Sequence, residues 1–298
     1  IDTTYDRDVD PIAMKTDFVG GLIETMLGAD ARLTPIHKSI VSRCIMQIYA
    51  DYLASLQMLP PDANGKKKTI DRTICPTLQN LFNMLLSQKE PEAQNLAVIM
   101  EQYVTGPFNA FAHHTNVNVD SRLIIYDISD IGANLRDLGL KICLNDIWNR
   151  MITNRAKGIW TWAYVDEFHL LLNSPSSADF LKSIWKRARK LWGVPTGITQ
   201  NVKDFLASKE IENIFDNSDF VYMLNQGADD RDILAQKLDI SPHQIKYVTN
   251  VGQGEGLIFF GDIVQPFVDR FPKDTVMYSL LTTKPSETKT ETELSGTS

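Results

Sequence analysis

The strongest constraint on the fold is a change in hydrophobic pattern near residue 120. Before this point, apolar residues recur every three or four positions, the spacing of helices with one buried face. After it, short apolar runs alternate with helical segments of about 10–15 residues, which is typical of strands joined by helical crossovers. We therefore expect an all-α part over residues 1–118 and an α/β part with a mainly parallel sheet over residues 119–283.

About four helices are predicted in the first part, most of them with a start or stop signal. Asp10-Pro11 and Thr34-Pro35 each place proline in the first helical turn behind a capping residue. Two more helices are expected over residues 77–88 and 92–104, and Gly106-Pro107 ends the last of them. These segments predict a compact helical layer.

Six apolar runs of strand type follow in the second part. They lie at 123–126, 160–165, 195–199, 220–224, 256–261 and 263–268. The runs are continuous rather than alternating, as expected for strands covered on both faces. Amphipathic helices are expected over 135–150 and 181–191, and the last two strands are expected to form a hairpin. The tail over 284–298 is almost without apolar side chains and is expected to be disordered.

Composition excludes several classes of protein. Acidic residues outnumber basic ones by 37 to 30, so a chain that is basic throughout for nucleic-acid binding is excluded, although a local basic patch is not. The longest apolar stretches, such as Leu257–Phe260, are far shorter than the ~20 residues of a membrane span. Three widely spaced cysteines and five scattered histidines predict neither a disulfide framework nor a zinc site.

The clearest chemical signal is a pair of carboxylates, Asp166 and Glu167, at the end of the run 160–165. Ligands of parallel α/β sheets bind at the carboxyl ends of strands. Asp166 would bind Mg²⁺ there, directly or through water, because this cation prefers oxygen ligands. Glu167 would orient and polarise a water for attack on a γ-phosphate, which is the Walker B arrangement. Taken alone, the pattern also fits a strand that simply leaves the core.

Two neighbouring features fit a phosphate site. The predicted helix after the carboxylates has four basic residues largely on one face: Lys182, Lys186, Arg189 and Lys190. Such a face suits the phosphates of a nucleotide or polynucleotide, and equally a solvated helix surface. The next strand ends in Thr199-Gln200-Asn201, where RecA-like motors place a γ-phosphate sensor, although Asn201 also fits a helix N-cap.

A cradle for the phosphates is missing from the sequence, since no GxxxxGK[ST] motif occurs in it. The segment 65–69, Gly-Lys-Lys-Lys-Thr, is similar, but Pro60 stands in place of the first glycine and the segment follows a Pro-Pro loop rather than a strand. The glycines within 252–256 precede a predicted strand rather than a helix. They therefore fit a tight turn better than a dinucleotide site.

The residues around the carboxylates resemble the Walker B segment of the type IV secretion motor ATPases. These are the VirB-four/TraC-type conjugation proteins of the FtsK–HerA superfamily, and the likeness is greatest to the branch of Gram-positive conjugative elements. It covers roughly residues 10–283, with blocks in the same order at 164–172, 184–190, 193–204, 212–220, 230–234 and 267–275. The helical half resembles the all-α insertion that this family places between Walker A and Walker B.

The resemblance implies a RecA-like P-loop ATPase with ATP and Mg²⁺ as cofactors. It implies Asp166 as the magnesium-associated carboxylate, Glu167 as the catalytic base and Gln200 as the γ-phosphate sensor. Candidate arginines for stabilising the transferred charge, in cis or across a subunit interface, are Arg187, Arg189 and Arg231. Candidate residues near the nucleotide base are Gly254 and Gly256.

The resemblance also implies a place in the cell. In this family the Walker A segment precedes the position at which this chain begins, so the chain is expected to bind ATP weakly and to turn over little or none. The complete protein is expected to be a cytoplasmic hexamer at the inner face of the cell membrane, energising pilus assembly or substrate transfer. Expected partners are the other channel components, with DNA or a relaxase–DNA substrate as a further candidate.

Two other functions stay open. One is a DNA-pumping motor, such as a conjugative coupling protein or a HerA-like translocase. The acidic net charge and the lack of a transmembrane pair weigh against the coupling protein. The other is a non-catalytic docking module that holds secretion partners through the helical layer.

Overall fold

The chain divides into two compact units, Ile1–Thr199 and Gln200–Ser298. The computed structural model describes residues 10–28, 31–58, 74–117, 119, 121–172, 175–200, 214–215, 217–261 and 263–282. The loop over 60–69, Asn201 and the tail over 284–298 lie outside the described residues, so the disorder expected of the tail stays a prediction. The boundary expected at 118/119 falls inside the first unit and also stays a prediction.

Four helices open the first unit, as the sequence predicts: α1 (Pro11–Leu27), α2 (Pro35–Met58), α3 (Leu78–Ser87) and α4 (Pro91–Val104). The carboxylate of Asp10 caps α1 by accepting a hydrogen bond from the Ile12 amide at 2.9 Å. The apolar faces of the four helices meet in one core. Its side chains Ile23, Leu85, Leu96 and Met100 have no exposed area. Each contributes about 1.5–3 kcal/mol by leaving water, so this core holds the helical layer together.

A βαβ unit follows and is built from α5 (Ala133–Ala156), β1 (Thr161–Val165), α6 (Pro175–Ala188) and β2 (Gly193–Gly197). Short 3₁₀ turns at Phe168–Leu172 and Arg189–Leu191 flank α6. The strands β1 and β2 run parallel, in register from the Thr161–Gly193 pair to the Val165–Gly197 pair. Parallel strands need a crossover connection, and α6 supplies it. The alternation after residue 120 therefore predicts this part correctly, although β2 begins two residues earlier than expected.

The strand expected at 123–126 is wrong. This segment is irregular and pairs with no described strand. Two side chains of α5 hold this region instead. Asp146 accepts a hydrogen bond from the hydroxyl of Tyr126 in the segment, and Arg150 donates to the carbonyl oxygen of Ser121, just before the segment, at 2.9 Å. The side chain of Ile125 is 82% exposed. An apolar run becomes a strand only where a neighbouring backbone completes its hydrogen bonds, and a local pattern does not report that neighbour.

The second unit contains β3 (Phe220–Met223), α7 (Ala228–Lys237), β4 (Glu255–Phe260), β5 (Ile263–Val268) and α8 (Val276–Leu281). The three strands form an antiparallel sheet in the order β3-β4-β5. The predicted hairpin is confirmed as β4–β5. The antiparallel pairing of β3 with β4 differs from the mainly parallel arrangement expected there. One face of this sheet packs on α7 and a 3₁₀ turn through a core of Met223, Leu234, Ile240, Val248, Leu257 and Phe259.

Candidate functional site

Asp166 and Glu167 form a two-residue turn at the carboxyl end of β1. The Val165 carbonyl oxygen accepts a hydrogen bond from the Ile198 amide at 2.9 Å, and the Phe168 amide donates to the Ile198 carbonyl oxygen at 2.9 Å. Both bonds join the turn to one residue just after β2, so the carboxylates lie at the shared carboxyl edge of the parallel pair. The structure thus places the two carboxylates where the sequence predicts them.

Glu167 has a left-handed backbone, with φ at 46°. A non-glycine residue in this conformation costs roughly 1–2 kcal/mol. Two hydrogen bonds hold it: the Glu167 amide donates to Asp166 Oδ1 at 2.9 Å, and the Glu167 carbonyl oxygen accepts from the Leu170 amide at 2.9 Å. Strain of this kind persists only where the surroundings enforce it, and it is found most often at functional sites.

Phe168 anchors the turn to the core. Its side chain is 1% exposed, and its ring centroid lies 5.0 Å from that of Trp185 on α6. A Cβ atom on Gly197 would lie 3.0 Å from the Phe168 ring, so glycine at this position lets the ring pack directly on β2. The residue after the carboxylates is therefore locked against both the crossover helix and the neighbouring strand.

His169 contacts the candidate base and the next strand at once. Its Nδ1 atom lies 3.3 Å from Glu167 Oε2 and 3.1 Å from Thr199 Oγ1. The His169 side chain is 20% exposed and that of Glu167 is 40% exposed. The sequence predicts no role for His169, because the spacing of the histidines fits no metal site. The signal that was available is its position two residues after Glu167.

The structure does not bring Arg187 and Arg189 to the carboxylates. The Arg187 guanidinium lies 5.0 Å from the ring centroid of Trp148, near the end of α6. Arg189 lies in the 3₁₀ turn that leads into the amino end of β2, which is the opposite end of the parallel pair from Asp166. A five-residue strand spans about 17 Å, farther than an arginine side chain extends. Their role in stabilising the transferred charge stays a prediction.

The remaining predicted residues belong to the second unit. Gln200 is its first residue. Arg231, on α7, donates from Nη1 to Thr249 Oγ1 at 3.3 Å, and its Nε lies 3.7 Å from Asp232 Oδ1. These contacts hold the guanidinium to its own unit, and a catalytic role for Arg231 stays a prediction.

Gly254 and Gly256 permit close backbone contacts beside β4. A Cβ atom on Gly254 would lie 2.2 Å from the Asp269 carbonyl oxygen, and one on Gly256 would lie 2.1 Å from the Met223 carbonyl oxygen. Gly254 also has φ at 78°, a conformation that favours glycine. Gly254 directly precedes β4 and Gly256 is the second residue of that strand, so the glycine-rich turn leads into a strand rather than a helix, as predicted. Sheet packing is sufficient to account for both residues, and their nucleotide role stays a prediction.

The carboxylates fit a magnesium ion that is mostly held by other ligands. Within the described part of the chain, no group of three or more His, Cys, Asp or Glu side chains is arranged to hold a metal. Mg²⁺ usually keeps several waters and takes one or two carboxylates together with substrate phosphates. Asp166 is exposed and accepts a hydrogen bond from the Glu167 amide, which leaves its carboxylate with further acceptor capacity. The donor set therefore fits Mg²⁺ bound with a nucleotide better than a metal bound by protein alone.

Comparison with known proteins decides the family. Residues 28–255, more than half of the chain, match the family model of the TraG P-loop domain. The chain belongs to the TraG P-loop domain family. Among solved structures, VirB4 of Thermoanaerobacter pseudethanolicus superposes on this TraG-type domain with a TM-score of 0.67 and 20% identity, over 91% of this chain and 73% of that chain. No curated protein matches.

These matches confirm two expectations for the TraG-type domain. The resemblance to the type IV secretion and conjugation motor ATPases is confirmed at the level of the family, and the α/β, RecA-like fold is confirmed by the superposition. No helix in the described ranges is both long enough and apolar enough to cross a membrane.

Proposed function

We propose that the protein is the motor ATPase of a type IV secretion or conjugative transfer system, which hydrolyses ATP to energise pilus assembly or substrate transfer. One observation carries the proposal: the turn of Asp166 and Glu167 lies at the carboxyl edge of a parallel βαβ unit, with Glu167 in a strained conformation. This edge is where α/β proteins bind ligands.

Each carboxylate would have its own task in hydrolysis. Asp166 would hold Mg²⁺ together with water, and the bound ion would neutralise charge on the β- and γ-phosphates. Glu167 would orient the attacking water and accept its proton. Gln200 would contact the γ-phosphate. A neighbouring subunit would supply Arg187 or Arg189, because neither reaches the carboxylates of its own chain.

The phosphates also need a cradle, and the printed sequence contains no GxxxxGK[ST] motif. We propose that a P-loop outside this sequence supplies it, and that residues 1–298 alone bind ATP weakly and hydrolyse little or none. The assembled motor would be a hexamer that binds other channel components at the inner face of the cell membrane. DNA or a relaxase–DNA substrate is a further candidate partner.

The test is steady-state ATP hydrolysis by the full-length protein, including its P-loop. Glu167→Gln removes the proton acceptor and keeps the shape of the side chain, so the turnover number is expected to fall about 10²- to 10⁴-fold. Glu101→Gln on the exposed surface of α4 is the matched control and is expected to leave turnover unchanged. Wild-type turnover by the Glu167→Gln protein would refute the proposal.

A DNA-pumping motor is the second candidate, and a local cluster of basic residues favours it although the net charge of the chain is acidic. Residues 147–165 and 180–199 contain eight Lys and Arg residues and no Asp or Glu, in a chain of net charge −7. The exposed rings of Trp160 and Trp192, one in each segment, stack with their centroids 5.7 Å apart. Basic residues interleaved with aromatic rings suit single-stranded nucleic acid. Strong stimulation of ATP hydrolysis by DNA, with strand displacement, would favour this candidate over the secretion motor.

A further inference from the structure

We propose that His169 is a positioning residue that holds the Glu167 carboxylate in its working orientation and couples it to the end of β2 through Thr199. This inference rests on the proposed role of Glu167 as the base. It concerns a residue to which neither the sequence pattern nor the proposed mechanism gives a task.

The contacts of one ring nitrogen carry the proposal. His169 Nδ1 lies within reach of Glu167 Oε2, at 3.3 Å, and of Thr199 Oγ1, at 3.1 Å. The Nδ1 atom makes its hydrogen bond with Thr199 Oγ1, and Glu167 Oε2 lies within ion-pair distance of the same atom. A carboxylate accepts hydrogen bonds, so we assign the tautomer with the proton on Nδ1, which faces both oxygens. The imidazole thus bridges the two strand ends.

The imidazole ring of His169 belongs to a turn that is packed firmly into the core. It belongs to the 3₁₀ turn Phe168–Leu172, whose side chains Phe168 and Leu171 are 1% and 3% exposed. Phe168 packs against Trp185 and against the backbone of Gly197. A side chain locked in this way can fix the orientation of a neighbouring functional group.

Glu167 needs such a partner. Its side chain is 40% exposed, and its backbone is held in a left-handed turn by the two hydrogen bonds described above. Backbone bonds fix where the side chain begins and leave its outer torsions to be fixed by side-chain contacts. Misplacing a catalytic group by about 1 Å can cost on the order of 10²-fold in rate. The bridge from His169 restricts the carboxylate where the backbone does not.

The bridge also connects the base to the segment that leads from β2 to the proposed sensor. Thr199 immediately precedes Gln200 in the sequence and follows Ile198, whose amide and carbonyl hold the turn on both sides. A displacement at the end of β2 would therefore be passed to Glu167 through Thr199 and His169. Glu167 would be correctly oriented only when this strand end is in place, which ties water activation to engagement of the γ-phosphate.

The experiment is ATP hydrolysis by variants of the full-length protein. His169→Ala is expected to lower kcat about 10- to 100-fold, with KM for ATP almost unchanged, because a positioning residue acts on the rate through Glu167 rather than on ATP binding. His169→Asn places an amide N–H near the position of Nδ1 and is expected to restore most of the lost rate. His169→Gln places the amide N–H near the position of Nε2 instead, and it is expected not to restore the rate. His243→Ala, at an exposed histidine of the second unit, is the matched control.

Double variants separate positioning from a general structural effect. If His169 acts only through Glu167, adding His169→Ala to Glu167→Gln causes no further loss of rate. Adding it to Thr199→Val likewise gives less than the product of the two single losses. Double variants whose rate losses multiply fully would overturn the inference. Equal rate losses for His169→Ala and His169→Asn, with a lower Tm for both, would also overturn it. If His169→Ala keeps the wild-type kcat while Glu167→Gln is inactive, the inference about His169 is overturned and the proposed function still holds. Wild-type turnover by Glu167→Gln would refute the proposed function itself.

Discussion

Replacing Lys141 by methionine is expected to stabilise the first unit. Lys141 lies on α5, is 8% exposed, and donates from Nζ to the Gly21 carbonyl oxygen of α1 at 2.8 Å. Burial lowers the pKa of Lys141 from 10.5 to about 8, an effect that Glu24 partly opposes. The folded state therefore holds a charged ammonium where the neutral form would fit better.

The size of the effect follows from this pKa. A shift of one unit corresponds to about 1.4 kcal/mol, so the folded state carries a penalty of about 3 kcal/mol below pH 8 relative to a lysine in water. Methionine has a similar length and no charge. The Gly21 carbonyl oxygen keeps a hydrogen bond from the Thr25 hydroxyl at 3.0 Å, so the substitution leaves no buried acceptor without a partner. We expect a gain of about 1–3 kcal/mol at pH 7, after loss of the ammonium hydrogen bond.

The pH dependence gives a second check. Between the folded pKa of about 8 and the unfolded pKa of 10.5, the unfolded lysine binds a proton that the folded one does not. The wild type therefore gains stability as pH rises through this range, and the Lys141→Met protein lacks that gain. Urea unfolding at pH 7 and pH 10 measures both effects. A less stable Lys141→Met protein at pH 7, with the same pH slope as the wild type, would refute the reasoning.

Two further predictions concern packing and charge. Gly197→Ala places a methyl group 3.0 Å from the Phe168 ring and is expected to destabilise the first unit by about 1–3 kcal/mol and to lower ATP turnover. Gly20→Ala within α1, whose added carbon would lie 3.7 Å from the Leu33 side chain, is expected to do neither, because alanine suits a helix interior. Equal stabilities of the two variants in urea would contradict this. Glu255 pairs with Arg270, and this hydrogen bond lowers the pKa of the Glu255 carboxyl. Glu255→Gln should therefore destabilise the second unit at pH 7. The difference in the free energy of unfolding between this variant and the wild type should shrink as pH falls below the unfolded pKa of 4.5. A difference that stays the same between pH 7 and pH 3.5 would count against a stabilising pair.

Much of the fold was predictable because its signals are local. The start of α1 is written in Asp10-Pro11, and the spacing of apolar residues marks the helices that follow. The βαβ unit was predictable because strand-type runs and amphipathic helices alternate. The wrong prediction of a strand at 123–126 and the unexpected antiparallel pairing of β3 have the same cause. Strand pairing depends on a neighbour that is distant in sequence, and a local pattern does not report it.

The candidate site divides in the same way. Asp166 and Glu167 were predictable because two carboxylates follow an apolar run, which any sequence shows directly. The bridge through His169 was not, because it needs the left-handed turn at Glu167 and the proximity of Thr199, thirty residues further along the chain. The remoteness of Arg189 from the carboxylates depends on the direction of β2, which emerges only with the parallel pairing.

The central claim is that Asp166 and Glu167 form half of an ATP-cleaving site. Single-turnover cleavage of bound ATP by full-length Glu167→Gln protein, with ATP affinity measured in the same preparation, tests it most directly. We predict near-wild-type ATP affinity and cleavage slowed at least about 100-fold. Cleavage at the wild-type rate would show that this turn does not activate the attacking water.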